Sequence, residues 1–480
     1  MAPVAAIAVA AFAPAPKTPS ASQLAHVRAY VSAVNSGDGK AFRAEDAGDG
    51  FRADVPEGPF LHYFHNQHRM TSGLELVDAR QESDGAVEAV VRNRLFGTLH
   101  GLRFAFDAVG KIATFDPTPA PAWAQTAPGG LSDEAVAMQA RTMADRGCKA
   151  DVFSGAMLVA HGDKVVVAQA CGEASKRYHV PNTLETRINL GSANKMFTEI
   201  ATMQLVEAGK IKLSDPVSAY LDDTWLAPDI ARRITVGELL GHTSGLGDFF
   251  DDLWPQSRAR YRDLADYKPL VRSSKLAFEP GSKFAYSDTG ALLLGAVVEK
   301  ASGKRYDDYL RTHIYAPAGM TRSGCFAMDD PEPDLATGYR YDPSAPYGWR
   351  ENTFDHVLRG GPAGGCFSTV GDLLRFSRAL QSGALVSRAT FAWMTTPGLS
   401  PEYGQGGFEL SQSAAGPIIG HSGIFQGVSV RFHLYPATGW TMIALANVDG
   451  GGYALGDALD DVIGRSKRGA ATASDASGRP

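Results

Sequence analysis

The chain lacks any dominant block of charge of one sign. Its 480 residues hold 46 Lys and Arg against 52 Asp and Glu, which gives a formal net charge of -6. Proteins that bind nucleic acid usually show a clustered basic stripe, so no nucleic-acid partner is expected. No segment holds about 18 uninterrupted apolar residues, so no membrane-spanning helix is predicted. The composition therefore favours a protein that acts on small molecules or peptides.

Cysteine is also scarce, and the few that occur are far apart in the sequence. None of them forms a C-x-x-C pair, which argues against a zinc site, a redox dithiol or a dense disulfide framework. Unpaired cysteine behaves as a small apolar residue, so we expect buried free thiols. The four positions are Cys148, Cys171, Cys325 and Cys366.

The motifs of several other enzyme classes are missing. There is no G-x-S-x-G elbow of an α/β-hydrolase and no H-E-x-x-H of a metallo-hydrolase. The glycine-rich segment 360–365 lacks the Lys-Ser/Thr of a phosphate-binding loop. His62, His65 and His68 do not follow a known zinc-ligand spacing, so we expect them to be surface or packing residues. No metal site and no cofactor are predicted.

The first 22 residues resemble a leader. The apolar run Val4–Phe12 is followed by Ala-Pro-Ala-Pro, as at the end of a secretory signal, but no Lys or Arg precedes the run. The basic start of a secretory signal is therefore missing. The segment favours an extracytoplasmic protein, periplasmic or secreted, and leaves the compartment open.

Residues 23–118 are predicted to form a small separate α+β unit. Gln23–Val34 has apolar residues at helical spacing, and Ala86–Leu95 and Leu102–Phe106 have strand-like composition. A helix, a turn and then strands resemble the nuclear-transport-factor-2-like cone fold, which implies a binding or self-association module. The Pro-rich residues after Asp116 predict a linker over 119–130, and the Ser- and Ala-rich residues 466–480 predict a disordered tail.

Residues 131–465 are predicted to form one large unit. Strand-like runs lie near both of its ends, a helix precedes the first of them, and a mostly helical stretch separates the two groups. A sheet built from both ends with helices inserted between them is the expected architecture. The predicted helix is Ser132–Arg146, the strands are Ser154–His161, Lys164–Gln169, Val428–Tyr435 and Trp440–Asn447, and the helical stretch is Asn194–Tyr315.

The chemistry is indicated by the sequence Gly-Ser192-Ala-Asn-Lys195, the single Ser-x-x-Lys of the chain. The residues that follow, 196–208, have the apolar spacing of an amphipathic helix, so Ser192 and Lys195 lie on one face at its start. A serine hydroxyl attacks well only when a base takes its proton. A lysine can do so when its surroundings lower its pKa. The alternative is that Ser192 caps the helix and Lys195 is exposed.

Two later motifs complete a series. Tyr286-Ser287-Asp288 precedes the helical run Ala291–Lys300, and His421-Ser422-Gly423 stands just before the strand Val428–Tyr435. This order resembles the penicillin-recognising serine hydrolases, with S-x-x-K, then Y-x-N, then K-T-G or H-x-G. Residues 237–246, 278–295 and 360–373 resemble further blocks of the class C β-lactamase-like branch. The resemblance extends from Phe153 to Asn447.

The resemblance implies a fold and a role for each residue. The fold would be an antiparallel sheet flanked by helices, with an all-helical subdomain. Ser192 would attack an acyl carbonyl, Lys195 would accept its proton, and Tyr286 would pass that proton to the leaving group. The backbone N–H groups of Ser192 and Ile424 would form the oxyanion hole. His242 would be a structural residue, and specificity would come from the loops 247–270 and 329–359.

Two positions depart from the family pattern. Asp288 replaces the usual Asn, and an Asp near Lys195 raises the pKa of that lysine. We hypothesise that Tyr286 then carries more of the base role; the alternative is that Asp288 points away. His421 replaces the usual Lys, and a neutral imidazole is a poorer partner for a substrate carboxylate. This difference favours esters, or amides that lack the carboxylate.

The expected function is a serine hydrolase that acts on an ester or amide through an acyl-enzyme. The alternatives within this family are a D-amino-acid peptidase and a β-lactamase. An alternative of another class is a catalytically weak protein that binds cell-wall peptides. The presence of Ser192, Lys195 and Tyr286 argues against that last alternative.

Overall fold

The computed structural model describes residues 17–121, 123–124, 130–250 and 257–466. Its Cα positions separate into two units, residues 1–126 and 127–480. Most of the predicted leader, most of the predicted linker after residue 121 and all but the first residue of the predicted tail lie outside the described residues. No helix within the described ranges is long and apolar enough to cross a membrane.

The first unit places helices before a four-stranded antiparallel sheet. A capping box between Ser20 and Gln23 begins the first helix, and Gly37, at φ 67°, ends it. The strands pair in the order β1-β2-β3-β4, and aromatic rings such as Tyr30, Phe64 and Phe104 fill the space between helices and sheet. The elements are α1 (Ala21–Ser36), α2 (Lys40–Glu45), α3 (Asp49–Asp54), α4 (Glu57–Thr71), β1 (Leu74–Gln81), β2 (Val87–Asn93), β3 (Leu99–Phe106) and β4 (Ile112–Pro119).

The predicted helix and the two predicted strands of this unit are confirmed as α1, β2 and β3. Pro119, the first residue of the predicted linker, instead ends β4, whose last four residues are Pro-rich. Proline is tolerated there because β4 is an edge strand, and its outer side needs no ladder hydrogen bonds. The resemblance to the cone fold and a role in self-association stay predictions.

The second unit is built on a six-stranded antiparallel sheet. The strand order is β7-β8-β9-β10-β5-β6, so the hairpin near residue 160 joins the strands of the carboxyl end through β10 and β5. The predicted sheet from both ends of the unit is confirmed. The main elements are α5 (Asp133–Lys149), β5 (Gly155–His161), β6 (Lys164–Cys171), α6 (Lys195–Glu207), α7 (Asp288–Ser302), α8 (Val370–Ser382), β7 (Glu409–Ser413), β8 (Gly416–Phe425), β9 (Val428–Tyr435), β10 (Trp440–Ala446) and α9 (Gly451–Gly464).

Helices cover both faces of this sheet. On one face Gly456 of α9 allows close contact with Arg431 and Met442; on the other, Phe376 of α8 packs against Phe432. Strand β10 is consequently buried along its whole length. The fold class expected from the resemblance, a sheet flanked by helices, is confirmed.

The stretch between the two groups of strands is less helical than predicted. It contains α6, α7 and short pieces joined by irregular segments, since its Gly- and Pro-rich turns interrupt helical periodicity. The short helical pieces of the unit are Gly191–Asn194, Val217–Ala219, Pro228–Ala231, Val236–Leu240, Arg258–Arg260, Leu264–Tyr267, Lys268–Val271, Tyr306–Leu310, Arg311–Tyr315, Ala316–Ala318 and Arg388–Met394. The short strands are Glu173–Ser175, Val180–Pro181, Ile188–Asn189, Tyr339–Tyr341, Trp349–Glu351 and Phe367–Ser368.

The expectation of free thiols is wrong. Cys148 at the end of α5 is bonded to Cys171 at the end of β6, and Cys325 is bonded to Cys366. Neither pair could be recognised from sequence spacing, because the folded chain brings together cysteines that are 23 and 41 residues apart. The second bond also holds the strand Phe367–Ser368, which pairs with Ile188–Asn189 directly before Ser192.

We expect a Cys325→Ser/Cys366→Ser variant to lose about 3–4 kcal/mol of unfolding free energy. The bond closes a loop with a sequence separation of 41 residues, and its removal enlarges the unfolded ensemble. Urea denaturation of wild type and variant, without reductant, measures the difference. An unchanged midpoint would show that this bond does not stabilise the fold.

Candidate active site

A tight turn places Ser192 against the edge of the sheet. Residues Gly191–Asn194 form one 3-10 turn that leads directly into α6, whose first residue is Lys195. Gly191 has a φ of 51°, and a Cβ there would lie 3.2 Å from the backbone nitrogen of Ile424. Glycine permits both this conformation and the close approach of β8.

Lys195 is buried and points at the serine. Its side chain is 1% exposed, and its Nζ lies 3.2 Å from Ser192 Oγ. The same ammonium donates to the carboxylate of Asp288 and to the carbonyl of Ala363, and it lies 4.8 Å from the ring centre of Tyr286. The structure therefore contradicts the alternative of an exposed Lys195 beside a capping serine.

Lys195 and Asp288 form a buried ion pair. Burial disfavours the ammonium, but the adjacent carboxylate outweighs it and raises the pKa of Lys195 above its usual value. For Asp288, burial opposes the charged form, and the ammonium prevails and lowers the pKa of that carboxyl. Both groups are thus charged at neutral pH. The alternative that Asp288 points away from the lysine is wrong.

Tyr286 completes the cluster as a neutral phenol. Burial raises the pKa of Tyr286 to about 12, against the opposing effects of the Lys195 ammonium and the Ser192 hydroxyl. Its ring stacks on His242 with centroids 4.6 Å apart. Burial and Lys195 lower the pKa of His242 to about 3. The ring of His242 is therefore a neutral platform for Tyr286, and its Nδ1 accepts the backbone N–H of Ser287 at 3.2 Å.

His421, Ser422 and Gly423 stand just before strand β9, as predicted, and they themselves lie inside strand β8, which was not predicted. Strand β8 was not predicted because Gly416, Pro417 and Gly420 interrupt the run of apolar and β-branched residues that is typical of a strand. His421 is fully buried, and its Nδ1 donates to the Ser422 carbonyl at 2.7 Å. Burial lowers the pKa of this imidazole, so it is neutral.

Ser422 and Gly423, which follow His421 in β8, make different contacts. Ser422 Oγ donates to the carboxylate of Glu409, with oxygen distances of 2.6 and 2.7 Å. A Cβ at Gly423 would lie 1.9 Å from the carbonyl oxygen of Leu190, so glycine is required where β8 passes the serine turn. This close passage brings the backbone of β8 at Gly423 and Ile424 beside the serine turn at Gly191.

The sequence analysis missed three contributors to this site. The Ala363 carbonyl accepts from Lys195, the Asp248 carboxyl hydrogen-bonds to Asp288, and Glu409 anchors Ser422. Only Ala363 had a signal, since it falls in the glycine-rich block 360–373. Asp248 lies in the predicted specificity loop 247–270 and Glu409 in a segment without a motif, and tertiary contacts alone single out these two residues.

A cleft with an empty volume of about 760 Å³, partly open to solvent, lies over Ser192. Both predicted specificity loops, 247–270 and 329–359, contribute to its walls. Its lining is mostly apolar and aromatic, which suits the burial of an organic substrate. Residues in the wall include Phe249, Phe250, Tyr267, Asp288, Leu292, Asp355, Val357, Pro362, Ile424 and Phe425.

We expect Asp288→Asn to move the acid limb of the kcat/KM profile to lower pH. Lys195 must lose a proton before it can act as a base, and the Asp288 carboxylate holds that proton in place. Without the carboxylate the pKa of Lys195 falls, by roughly 1–3 units for loss of a close charge. The measurement is the pH dependence of ester hydrolysis. Asp229→Asn, an exposed carboxylate on a distant short helix, is the matched control. An acid limb that does not move excludes this role for Asp288.

The chain is similar in sequence and fold to known bacterial proteins. A sequence profile of the family described as Beta-lactamase matches residues 137–463. A penicillin-binding protein of Bacillus subtilis (strain 168) is 30% identical over 315 residues, which cover 62% of this chain and 68% of the relative. A teichoic acid D-alanine hydrolase of Staphylococcus aureus is 26% identical over 249 residues, covering 51% of this chain and 58% of that protein. The crystal structure of a penicillin-binding protein from Bacillus halodurans superimposes with a TM-score of 0.60 at 31% identity, covering 65% of this chain and 96% of the other.

Proposed function

The chain is a serine hydrolase and belongs to the Beta-lactamase family, and on that premise we propose that Ser192, Lys195 and Tyr286 carry out its chemistry through an acyl-enzyme. The single observation that supports this most is the 3.2 Å separation of Lys195 Nζ from Ser192 Oγ inside a buried cluster. A nucleophile and its activating group within hydrogen-bond reach are the signature of covalent catalysis.

The proposed reaction begins with attack of Ser192 Oγ on the acyl carbon. The hydroxyl proton passes to the Lys195–Tyr286 pair and then to the leaving oxygen or nitrogen, so the acyl–leaving-group bond breaks as the proton arrives. Water then attacks the acyl-enzyme and releases the acid. In the resting site Lys195 is an ammonium and Tyr286 a phenol, so the pair must give up one proton before it can accept that of Ser192.

The oxyanion formed in the attack would be held by the backbone N–H groups of Ser192 and Ile424. The close contact between Gly423 and Leu190 supports this placement, because it aligns β8 with the serine turn. Donors arranged in advance of the reaction are each worth about 3–4 kcal/mol in the transition state of acyl transfer. The role of His421 would be to line this edge of the site as a neutral group.

The electrostatics of the site favour an ester or a simple amide over a penicillin. His421 stands at the position of the family's usual lysine, is buried and is neutral, so it offers a substrate carboxylate no positive charge. The relative that hydrolyses D-alanine from teichoic acid supports the same choice. A D-amino-acid peptidase and a β-lactamase are the other members of the family that the site could represent.

We also propose an extracytoplasmic location. The two disulfide bonds support it, since such bonds persist in oxidising compartments and are rare in the cytosol. The leader-like start of the sequence agrees with this location.

The proposed function is tested by trapping the acyl-enzyme. The protein is mixed with p-nitrophenyl acetate, quenched in acid during turnover and digested for mass spectrometry. We expect an acetyl group on the peptide that contains Ser192, rapid release of p-nitrophenol, and much slower hydrolysis of a chromogenic cephalosporin. Acetylation at another residue would contradict the assignment of the nucleophile. Cephalosporin turnover as fast as ester turnover would support the β-lactamase alternative.

A further inference from the structure

Asn189, three residues before the nucleophile, holds the backbone of the serine turn. Its side-chain Oδ1 accepts the backbone N–H of Gly191 at 2.8 Å. Gly191 has the left-handed φ of 51° that turns the chain toward Ser192. An asparagine that bonds the backbone two residues ahead stabilises such a turn, because it fixes a peptide N–H that no helix or strand engages. The orientation of Ser192 therefore depends on where the Asn189 side chain is held.

His356 holds the side chain of Asn189. Since the Oδ1 atom of Asn189 accepts from Gly191, the other atom of the amide is Nδ2, which donates to Nε2 of His356. The ring of His356 has its lone pair at that nitrogen, because Nδ1 donates to the Val357 carbonyl at 2.7 Å. The three hydrogen bonds thus have consistent directions, and each donor meets an acceptor.

This series of hydrogen bonds is closed to solvent. Asn189 and His356 are each only 6% exposed. Burial lowers the pKa of His356 against the opposing effect of the Val357 carbonyl, so the ring is neutral and keeps its lone pair. The Nδ2 atom of Asn189 also lies 3.4 Å from the carbonyl oxygen of Gly365. Removal of either side chain would leave a buried polar atom unsatisfied, which favours a rearrangement of the turn.

His356 belongs to the predicted specificity loop 329–359. Its two neighbours in the sequence, Asp355 and Val357, line the cleft over the nucleophile. The side chain between them reaches the serine turn through Asn189. A segment of the cleft wall is therefore hydrogen-bonded to the turn that presents the nucleophile.

We propose that Asn189 and His356 are a positioning pair, through which the 329–359 loop fixes the Ser192 turn in its reactive orientation. His356 orients Asn189, Asn189 orients the backbone of Gly191, and neither side chain takes part in proton transfer. The inference rests on the proposed function. It assigns an effect on the rate of acylation to two residues that lie outside the three catalytic motifs.

The test measures acylation in single turnovers, with enzyme in excess over p-nitrophenyl acetate, for wild type, Asn189→Leu, His356→Leu and the double variant. Displacement of a reacting group by about 1 Å costs roughly 100-fold in rate, so we expect each single variant to acylate roughly 10- to 100-fold more slowly per folded molecule. The half-saturating enzyme concentration should stay unchanged. The double variant should be no slower than the slower single variant, because the two side chains act in one series.

Two further variants separate positioning from a structural role. His356→Gln keeps an acceptor near the place of Nε2 and should recover most of the rate lost in His356→Leu. His62→Leu, at an exposed position on α4 of the first unit, should acylate as wild type does. Circular dichroism gives the folded fraction of each variant. Leucine variants that lose stability but keep the wild-type rate per folded molecule would overturn the inference, as would two losses that multiply in the double variant.

Amide exchange distinguishes failure of the inference from failure of the proposed function. We expect deuterium exchange at the Gly191 amide to be faster in His356→Leu than in wild type, whether or not the ester is a substrate. A wild type that takes up no acetyl group on Ser192 contradicts the proposed function, and exchange at Gly191 then decides whether the link exists. Unchanged exchange in His356→Leu would show that His356 does not hold Asn189, and would overturn the inference alone.

Discussion

Replacing Ser192 with alanine is expected to lower kcat for p-nitrophenyl acetate by roughly 10⁵-fold, because removal of the nucleophile from a covalent catalyst abolishes the acyl-enzyme route. Ser192 lies in a turn that an alanine can occupy without strain, and its hydroxyl does not cap the following helix. The variant should therefore fold as wild type does. The measurement is the initial rate of p-nitrophenol release, with circular dichroism to verify the fold.

Ser382→Ala is a suitable control for this experiment. Ser382 is exposed at the end of α8, so its loss should leave kcat at the wild-type value. A Ser192→Ala variant that keeps a substantial part of wild-type activity would show that another residue is the nucleophile. Residual acetylation of that variant would then identify the residue.

Replacing Lys195 with methionine should reduce both activity and stability. The activity on esters is expected to fall by roughly 10⁴-fold, the loss typical of removing a base that activates a nucleophile. The unfolding free energy should fall by about 3–5 kcal/mol, because Asp288 is left buried without its cation. Methionine has a similar length, so the loss is one of charge and hydrogen bonds more than of packing.

The double variant Lys195→Met/Asp288→Asn separates these two effects. Removal of the unpaired carboxylate should restore most of the lost stability, while kcat/KM stays as low as in Lys195→Met. Urea denaturation and ester hydrolysis measure the two quantities. Lys210→Met, at an exposed position just beyond the same helix, controls for the loss of a lysine. If the double variant regained activity, Lys195 would not be part of the catalytic machinery.

Much of the fold could be predicted from local patterns. The hairpin of β5 and β6 and the strands β9 and β10 have continuous apolar runs bounded by turn residues, and they form where expected. Strand β8 escaped prediction because four of its residues are Gly or Pro; Gly420 and Gly423 are explained only by the close passage of other backbone segments. Strand β4 was missed because prolines in an edge strand look the same in sequence as prolines in a linker.

The sequence predicted those residues of the candidate site that belong to a recognisable motif. Ser192, Lys195, Tyr286 and Asp288 lie together as the order of their motifs suggested. Their roles in catalysis stay predictions. Asp248 could not be found in this way, because a single aspartate in a loop carries no signal until a second carboxyl group is placed beside it.

The sequence by itself determined the local elements and the chemical class of this protein, since helical and strand periodicity and the spacing of Ser192 and Lys195 depend on neighbouring residues. The tertiary structure decided what depends on distance between remote segments. It joined the four cysteines in two disulfides and placed Asp288 against Lys195. It also placed Asp248 beside Asp288. The tertiary structure also decided the protonation states of the site. Burial and neighbouring charges set the pKa of each group, and both arise only when the chain has folded.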